Sequence, residues 1–388
     1  MSSKLTYVLR RTLTAVALSC PNAPAAAKAA PPRLSSLAAF VTDHSTAPLA
    51  CRYACAAIQV PRPSLSAFIT SKRLYSNSAA MYASATDFSP PPPPSSKGHA
   101  VFNDLDLTQK SPAAIRRNSD PNAVFVVTGA NRGIGIQFVK SLLDRTQGTI
   151  VACCRCPEEA HGLQAIRTDL PSSQQHRIEV QKLDVESQAS IESAAESVKS
   201  SFGRVDVLLN VAGILGDGKT TPGPERSISK IDRNWLEKNL AVNAVGPLMF
   251  AQALAPLMQT KRRVRKRTDD GENEIERATS VVASLSARVG SISDNELGGW
   301  ISYRLSKSAL NQATRTMAHE LKRQGTWAVA LHPGTTDTDL SQPFQGNVQD
   351  GRLFPVEFTV SQLLDCIDAL DETKSGGFYD WSGTALPF

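Results

Sequence analysis

The chain has 388 residues, 41% hydrophobic and 20% charged, with a net charge of +6. That is length for about two domains of ~150 residues or one larger α/β domain. The charge is unevenly placed. Residues 1–85 carry nine Lys or Arg against one acid, Asp43, so they contribute +8 and leave −2 for the rest. The basic balance belongs to the leader, and the remainder offers no electrostatic footprint for nucleic acid.

An Arg-bearing, Ser/Ala-rich, acid-poor leader over 1–85 matches an organelle transit peptide. Lys4 to Leu18 can form a basic amphipathic segment, and Arg73-Leu74-Tyr75-Ser76 resembles a mitochondrial matrix cleavage site. The mitochondrial matrix is the expected destination, with the plastid stroma as alternative and the cytosol if the leader is absent. An unstructured tail or a misread start is the competing reading. A secretory signal fits less well, because its apolar core, Leu13 to Leu18, is short. No stretch of about 18 consecutive apolar residues occurs, so no membrane span is expected. Pro90 to Pro94 sit in a Pro/Ser-rich stretch, 86–120, that reads as a linker ahead of a domain over 121–388.

Seven cysteines do not form a scaffold: Cys20, Cys51 and Cys55 are in the leader, Cys153, Cys154 and Cys156 share one strand end, and Cys366 is alone. No second Cys or His pair stands at zinc spacing, so reduced thiols and no metal are expected.

Beyond Asn122, β-branched runs alternate with helical patterns, the signature of a doubly wound parallel sheet of the Rossmann type. Strands are predicted at Val124–Thr128, Thr149–Cys154, Ile178–Leu183, Val205–Val211, Ser280–Leu285 and Ala328–His332, with a seventh near Gly377–Tyr379. Helices are predicted notably at Ile134–Asp144, Ile191–Phe202, Ile231–Met258 and Ser302–Arg323. Between them Lys261 to Arg267 and Asp269 to Arg277 form a charge-dense stretch where a short connection belongs. It reads as a solvated surface insertion; its basic half also resembles a nuclear-localisation cluster.

The first strand runs into Thr-Gly-Ala-Asn-Arg-Gly-Ile-Gly, residues 128–135. Strand, glycine turn and helix in that order suit a dinucleotide phosphate. Gly129 permits the turn, Gly133 lets backbone approach a pyrophosphate, and Gly135 lets the helix pack on the strand. The helix start offers free N–H groups and a positive dipole end. Downstream, Tyr303 and Lys307 stand at i and i+4, one turn apart on one helix face. An adjacent ammonium and an oxidised nicotinamide would both favour the phenolate and lower the phenol's pKa from ~10, making Tyr303 a proton donor.

With these motifs, residues 121–388 resemble the short-chain dehydrogenase/reductase family. Tyr303-Arg304-Leu305-Ser306-Lys307 matches its Tyr-x-x-x-Lys signature. Asn210-Val211-Ala212-Gly213 stands where the family usually has Asn-Asn-Ala-Gly, with Val211 a mild departure. The resemblance implies that Asp184 touches the adenine, that Asn243 organises a proton-relay water at a helix kink, and that Pro333, Gly334 and Thr335 flank the nucleotide. It implies nucleotide contacts at Gly129, Asn131, Arg132, Gly133, Ile134 and Gly135, at Asn210, Ala212 and Gly213, and at Tyr303 and Lys307. The carbonyl-polarising serine departs from the family pattern: Ala287 occupies the usual place, leaving Ser286, or alternatively Ser291. Ser286 to Asn295, Gly298-Gly299-Trp300 and the ending Gly377 to Trp381 with Leu386-Pro387-Phe388 look like the C-factor and Sniffer-type carbonyl reductase branch.

Cofactor choice follows from charge. An NAD site places an acid at the end of the second strand, whereas here that strand ends in Arg155, and Arg132 lies in the glycine turn. Two guanidinium groups suit the 2′-phosphate of NADP(H) better than NAD(H). The sequence thus predicts an NADPH-dependent reductase of a small carbonyl compound, Tyr303 giving the proton, Ser286 orienting the carbonyl, Lys307 tuning Tyr303 and Asn243 supporting the relay. The alternative is a nucleotide-binding sensor with little turnover; a nucleic-acid partner at Lys261–Arg267 is a third class. Specificity is assigned to the loops Thr220–Ser229 and Ser341–Pro355, and the resemblance implies a homodimer or homotetramer through the long helices.

Overall fold

The computed structural model describes residues 88–95, 98–260 and 277–388. The leader and the cluster Lys261–Arg267 lie outside the described residues.

The elements run α1 (Pro112–Ser119), β1 (Val124–Thr128), α2 (Gly133–Arg145), β2 (Thr149–Cys154), α3 (His161–Asp169), β3 (Ile178–Lys182), α4 (Gln188–Phe202), β4 (Val207–Asn210) and α5 (Arg233–Leu240). After these come α6 (Gly246–Leu254), β5 (Ser280–Leu285), α7 (Ile301–Leu321), β6 (Thr326–His332), the short pair β7 (Thr335–Thr336) and β8 (Leu353–Phe354), α8 (Val356–Asp368) and β9 (Phe378–Asp380). Seven strands form one parallel sheet in the order β3-β2-β1-β4-β5-β6-β9. The order reverses between β1 and β4, and in such sheets ligands bind in the crevice beyond the strand ends at that reversal.

The central strands are apolar because both faces are covered. Every residue of β1 and β5 is buried. Phe125, Val127, Phe138, Leu142 and Leu363 pack on one face beneath α2 and α8; Val126, Ile191, Val198, Phe250 and Leu254 pack on the other beneath α4 and α6.

Three features depart from the sequence reading. Residues read as linker include α1: Ser111 caps it by accepting from Ala114 N at 3.3 Å, and Pro112 opens it, a standard helix start. Its Arg117 is buried against Asp368 and Thr279 O. The folded unit therefore begins ahead of residue 121. Second, the predicted helix Ile231–Met258 is interrupted by a π-helical turn, Ala241–Val245. The rod Arg233–Met258 has the length of a membrane span, and an 18-residue window within it reaches a mean hydropathy of 1.5. Here its apolar side, Phe250, Ala251, Leu254 and Met258, is buried against the sheet. Third, Arg277, the end of the charged stretch, turns inward to Asp206 and the carbonyls of Leu257 and Val205. Among the described cysteines Cys153, Cys154 and Cys366 are buried thiols, and Cys156 is exposed.

Candidate active site

The glycine turn is dictated by close backbone approach. Gly129 has φ +64°, and a Cβ there would lie 2.9 Å from Ala212 Cα; one on Gly135 would lie 2.1 Å from Gly129 O. Only glycine lets β1, α2 and the exit of β4 meet so closely. Thr128, at the end of an otherwise apolar strand, fastens the other side: its Oγ1 accepts from Val211 N at 2.9 Å and Ala212 N at 3.1 Å. Sequence reasoning passed over Thr128, although a lone polar residue closing a buried strand was the available signal.

These segments open onto a cleft of about 660 Å³. Of the residues predicted for the site, Gly129, Asn131, Arg132, Gly133, Ile134, Gly135, Arg155, Asp184, Ala212, Gly213, Ser286, Tyr303, Lys307 and Pro333 line it. No side chain caps α2, whose N-cap residue is Arg132. Its first N–H groups are thus left for an anion. Arg155 is exposed and, among the described residues, has no hydrogen-bond or ion-pair partner, whereas Arg132 makes a loose surface pair with Asp339 at 3.5 Å. Asp184 closes its own turn, Oδ1 accepting from Glu186 N at 3.1 Å.

Four predicted residues do not line the cleft. Asn243 sits buried in the π-helical turn, donating to Ile214 O at 2.9 Å and Ser306 Oγ at 3.1 Å and accepting from Ile214 N at 2.8 Å. It braces the loop after β4 against α7. A π turn inserts one residue into a helix, which is how Asn243 reaches that loop. Asn210 is buried at the end of β4, its Nδ2 3.5 Å from Ser284 Oγ and its Oδ1 without a partner. Gly334 is hemmed in by Phe354 and Trp381, and Thr335 pairs in register with Leu353.

Tyr303 and Lys307 share a helix face on α7, with Lys307 Nζ 5.6 Å from the centre of the Tyr303 ring. Lys307 is buried and donates to Leu285 O at 2.8 Å. Burial lowers its ammonium from the ordinary lysine range to about 8 and raises the Tyr303 phenol. The expected lowering of Tyr303 by its neighbour is therefore reversed in the protein alone: at this separation desolvation outweighs the cation. The phenol is held protonated at neutral pH. His332, at the end of β6, is lowered to about 4 by burial and by Arg288, so its imidazole is uncharged at neutral pH.

Ser286 borders the cleft, but its hydroxyl donates to Asn311 Oδ1 at 2.6 Å, two turns along α7 from Tyr303. Ser291 is buried away from the cleft, accepting from Asp294 N at 3.1 Å. Neither hydroxyl is aimed beside the phenol.

Two further groups lie in segments the sequence singled out without giving them a role. Trp300 enters α7 with φ +54°, a left-handed conformation that costs a bulky residue on the order of 1–3 kcal/mol and is kept only where surroundings impose it. Glu225 imposes it: its carbonyl accepts from Trp300 N at 2.5 Å, and its buried carboxylate accepts from Ser302 N at 3.1 Å and from the Ser302 hydroxyl. Held so, the Trp300 ring meets Tyr303 at 6.3 Å and Phe344 at 5.3 Å, forming an aromatic wall beside the phenol. Their partners lie 75 and 44 residues away in sequence, counted from Glu225 to Trp300 and from Trp300 to Phe344, beyond any local pattern.

A parallel Rossmann sheet with a glycine turn and a Tyr-Lys pair in one cleft defines a nicotinamide-dependent oxidoreductase. The comparisons fix the class: residues 129–352 match the family described as enoyl-(acyl carrier protein) reductase, and the chain belongs to the short-chain dehydrogenase/reductase family. Among solved structures it is similar to an NADPH-bound carbonyl reductase from chicken fatty liver, at 30% identity and a TM-score of 0.57 over 69% of this chain and 99% of that one. The carbonyl reductase Sniffer of Drosophila melanogaster matches at 27% identity and a TM-score of 0.57, over 69% of this chain and 99% of that one. The C-signal protein of Myxococcus xanthus is 33% identical over 186 residues, covering 48% of this chain and 94% of its own. These likenesses support the carbonyl reductase branch of the family, and the chain is an NAD(P)-dependent oxidoreductase of that type.

Proposed function

We propose that the protein is an NADPH-dependent reductase of a small carbonyl compound, with Tyr303 as proton donor. The observation that carries this is the meeting of Tyr303 and Lys307 with the uncapped glycine turn in one cleft. The residues fit the dinucleotide: α2 leaves N–H groups free, and Gly133 keeps the approach open. When bound, the dinucleotide supplies the hydride. Tyr303 transfers its phenolic proton to the carbonyl oxygen, the phenolate being stabilised by the ammonium of Lys307 nearby. Lys307 also holds the nucleotide ribose, and Asn243, fixed between Ile214 and Ser306, keeps the loop and helix in register. The product is the alcohol, with the nucleotide oxidised. What supports NADPH over NADH is Arg155, exposed and without a partner among the described residues, with Arg132 lining the same cleft. NADPH oxidation with an aromatic aldehyde and with a dione tests the reading; no turnover with either, despite tight nucleotide binding, would overturn it.

That negative outcome is what a nucleotide sensor predicts, and one observation favours such a reading. With Ala287 at the usual serine and the Ser286 proton given to Asn311, carbonyl polarisation rests on Tyr303. For the leader we propose import into the mitochondrial matrix: residues 1–90 fused to a fluorescent reporter should leave the cytosol, and a diffuse cytosolic signal would refute it.

A further inference from the structure

The segment ahead of the sheet reaches the substrate side of the molecule. Along the β9 edge, Leu105 N donates to Gly383 O at 2.8 Å, Ala385 N donates to Asp104 Oδ1 at 2.8 Å, and the Phe102 ring meets Tyr379 edge-on at 6.2 Å. Covering an edge in this way is a common protection against unwanted strand pairing.

Further upstream the run Phe88–Ser95 does something different. Arg288, just beyond β5, donates to Pro94 O at 2.7 Å and Ser95 O at 2.8 Å while its Nε is 2.6 Å from Asp294. The turn it begins is bonded to α7, where Arg304 donates to Val289 O and Ser308 to Gly290 O. Arg352, at the return of the loop 341–355, donates to Pro92 O at 2.7 Å. The Phe88 ring packs edge-on against Phe354 at 5.8 Å and Phe358 at 5.0 Å. A proline run suits such a clamp: it has no N–H to satisfy, its carbonyls are free to accept, and its extended form is already set before docking.

We propose that Phe88–Ser95 is a positioning strap for the substrate loop 341–355. It ties the loop's return, through Arg352 and Phe354, to the Arg288 turn on α7, and so fixes where Phe344 meets Trp300 beside Tyr303. The kinetic consequence rests on the reductase reading above; the structural consequence does not. A cut in the leader near Arg73 leaves the strap attached, whereas loss of residues through Ser95 removes it.

The test uses full-chain Phe88→Ala and Arg352→Ala, with Leu105→Ala as a control on the edge-covering part of the same arm. Amide hydrogen exchange over 341–355 should quicken by about tenfold in the two strap variants. KM for the carbonyl substrate should rise severalfold with kcat and NADPH affinity held, while Leu105→Ala lowers the unfolding midpoint and leaves loop exchange and KM at wild type. Unchanged loop exchange in both strap variants would overturn the proposal. So would quickened exchange with an unchanged KM in an active enzyme. If the wild type turns over no carbonyl, the reductase reading fails, and the exchange result still decides whether the strap holds the loop.

Discussion

The two ends of the sheet handle their polar groups in opposite ways. At the end where the strands begin, Asp206 is fully buried and accepts from Val124 N, from both Nε and a terminal nitrogen of Arg204, and from Arg277 Nε, at 2.7–3.0 Å. Arg204 also reaches Asp120 at 2.9 Å, and Arg117 lies against Asp368. At the end where the strands finish, and among the described residues, Arg155 has no partner, Asn210 Oδ1 has none, α2 has no side-chain cap, and Lys307 is an ammonium lowered to about 8 in a buried place. Around Asp206 the buried charge is satisfied and closes the structure, while Arg117 keeps Nε and one terminal nitrogen without a hydrogen bond and is balanced by the Asp368 charge at 3.6 Å. At the other end the groups facing the cleft are left open to a ligand: an exposed cation, an uncapped helix start and a buried ammonium lowered by desolvation, a combination that marks a functional site.

The sharpest way to break that contrast is to remove a group that serves chemistry alone. Tyr303→Phe deletes the proton donor and keeps the ring that meets Trp300. Turnover should fall by about 10²–10⁴-fold, the range for loss of a general acid, with NADPH affinity and the unfolding midpoint nearly unchanged. Single-turnover reduction at wild-type rate would show that Tyr303 is not the acid.

The opposite end should respond in the opposite way. Asp206→Ala leaves two guanidinium groups without their shared carboxylate, and breaking a buried pair on one side costs about 3–5 kcal/mol. Denaturant unfolding should show that loss, while kcat of the remaining folded enzyme stays at wild type below the transition. A stable variant with crippled kcat would mean that the two ends are not separable.

How far this division was legible in the sequence depends on the range of the interactions. Val124–Thr128, Thr149–Cys154 and Ser280–Leu285 are observed with the predicted bounds, because a short apolar run between turn residues has no solvated alternative. The glycine turn was readable for the same local reason. The Ser111-Pro112 start of α1 carried a readable signal too, but the surrounding prolines and serines masked it as linker. The family resemblance implies a helix kink at Asn243, but periodicity could not show its π geometry, since one inserted residue barely alters an apolar pattern. Nor could it show the Glu225 brace, the Asn311 bond that takes the Ser286 proton, or the strap under Arg352, whose partners are set by tertiary packing. That the Tyr303 phenol is raised in the protein alone was not legible for a different cause: spacing gives proximity to Lys307 but not the burial of both groups.

Arg155→Asp sharpens the contrast by testing whether an unpaired cation is waiting for a ligand. If Arg155 pairs with the 2′-phosphate, the substitution replaces a bidentate attraction with repulsion, and NADPH should lose about 2–4 kcal/mol of binding. NADH, lacking that phosphate, should bind as before or better, with the rate at saturating nucleotide little changed. Arg132→Ala should act in the same direction and less, since Arg132 already spends part of its charge on Asp339. Equal weakening of both nucleotides would reduce Arg155 to a surface cation at a strand end.

The smallest effect tests the cation beside the phenol through pH. Burial lowers Lys307 to about 8, so the ammonium is present below that pH and is lost as pH rises through it. The phenolate left when Tyr303 gives up its proton needs that positive charge, and Tyr303, raised by burial, stays protonated across the same window. Reduction at saturating NADPH should therefore be flat from pH 6 to 7 and fall by about tenfold per unit above about pH 8, a slope set by one titrating group. Lys307→Arg separates this from any other base-side titration, because a guanidinium remains charged across the whole range. The variant should be slower at pH 7, having lost the fit of the ammonium to Leu285 O, yet its profile should lose the fall above pH 8. If both proteins fall together, another group controls the alkaline limb. If neither falls up to about pH 9.5, the ammonium is either not titrating there or not needed, and Lys307 would then serve the ribose alone.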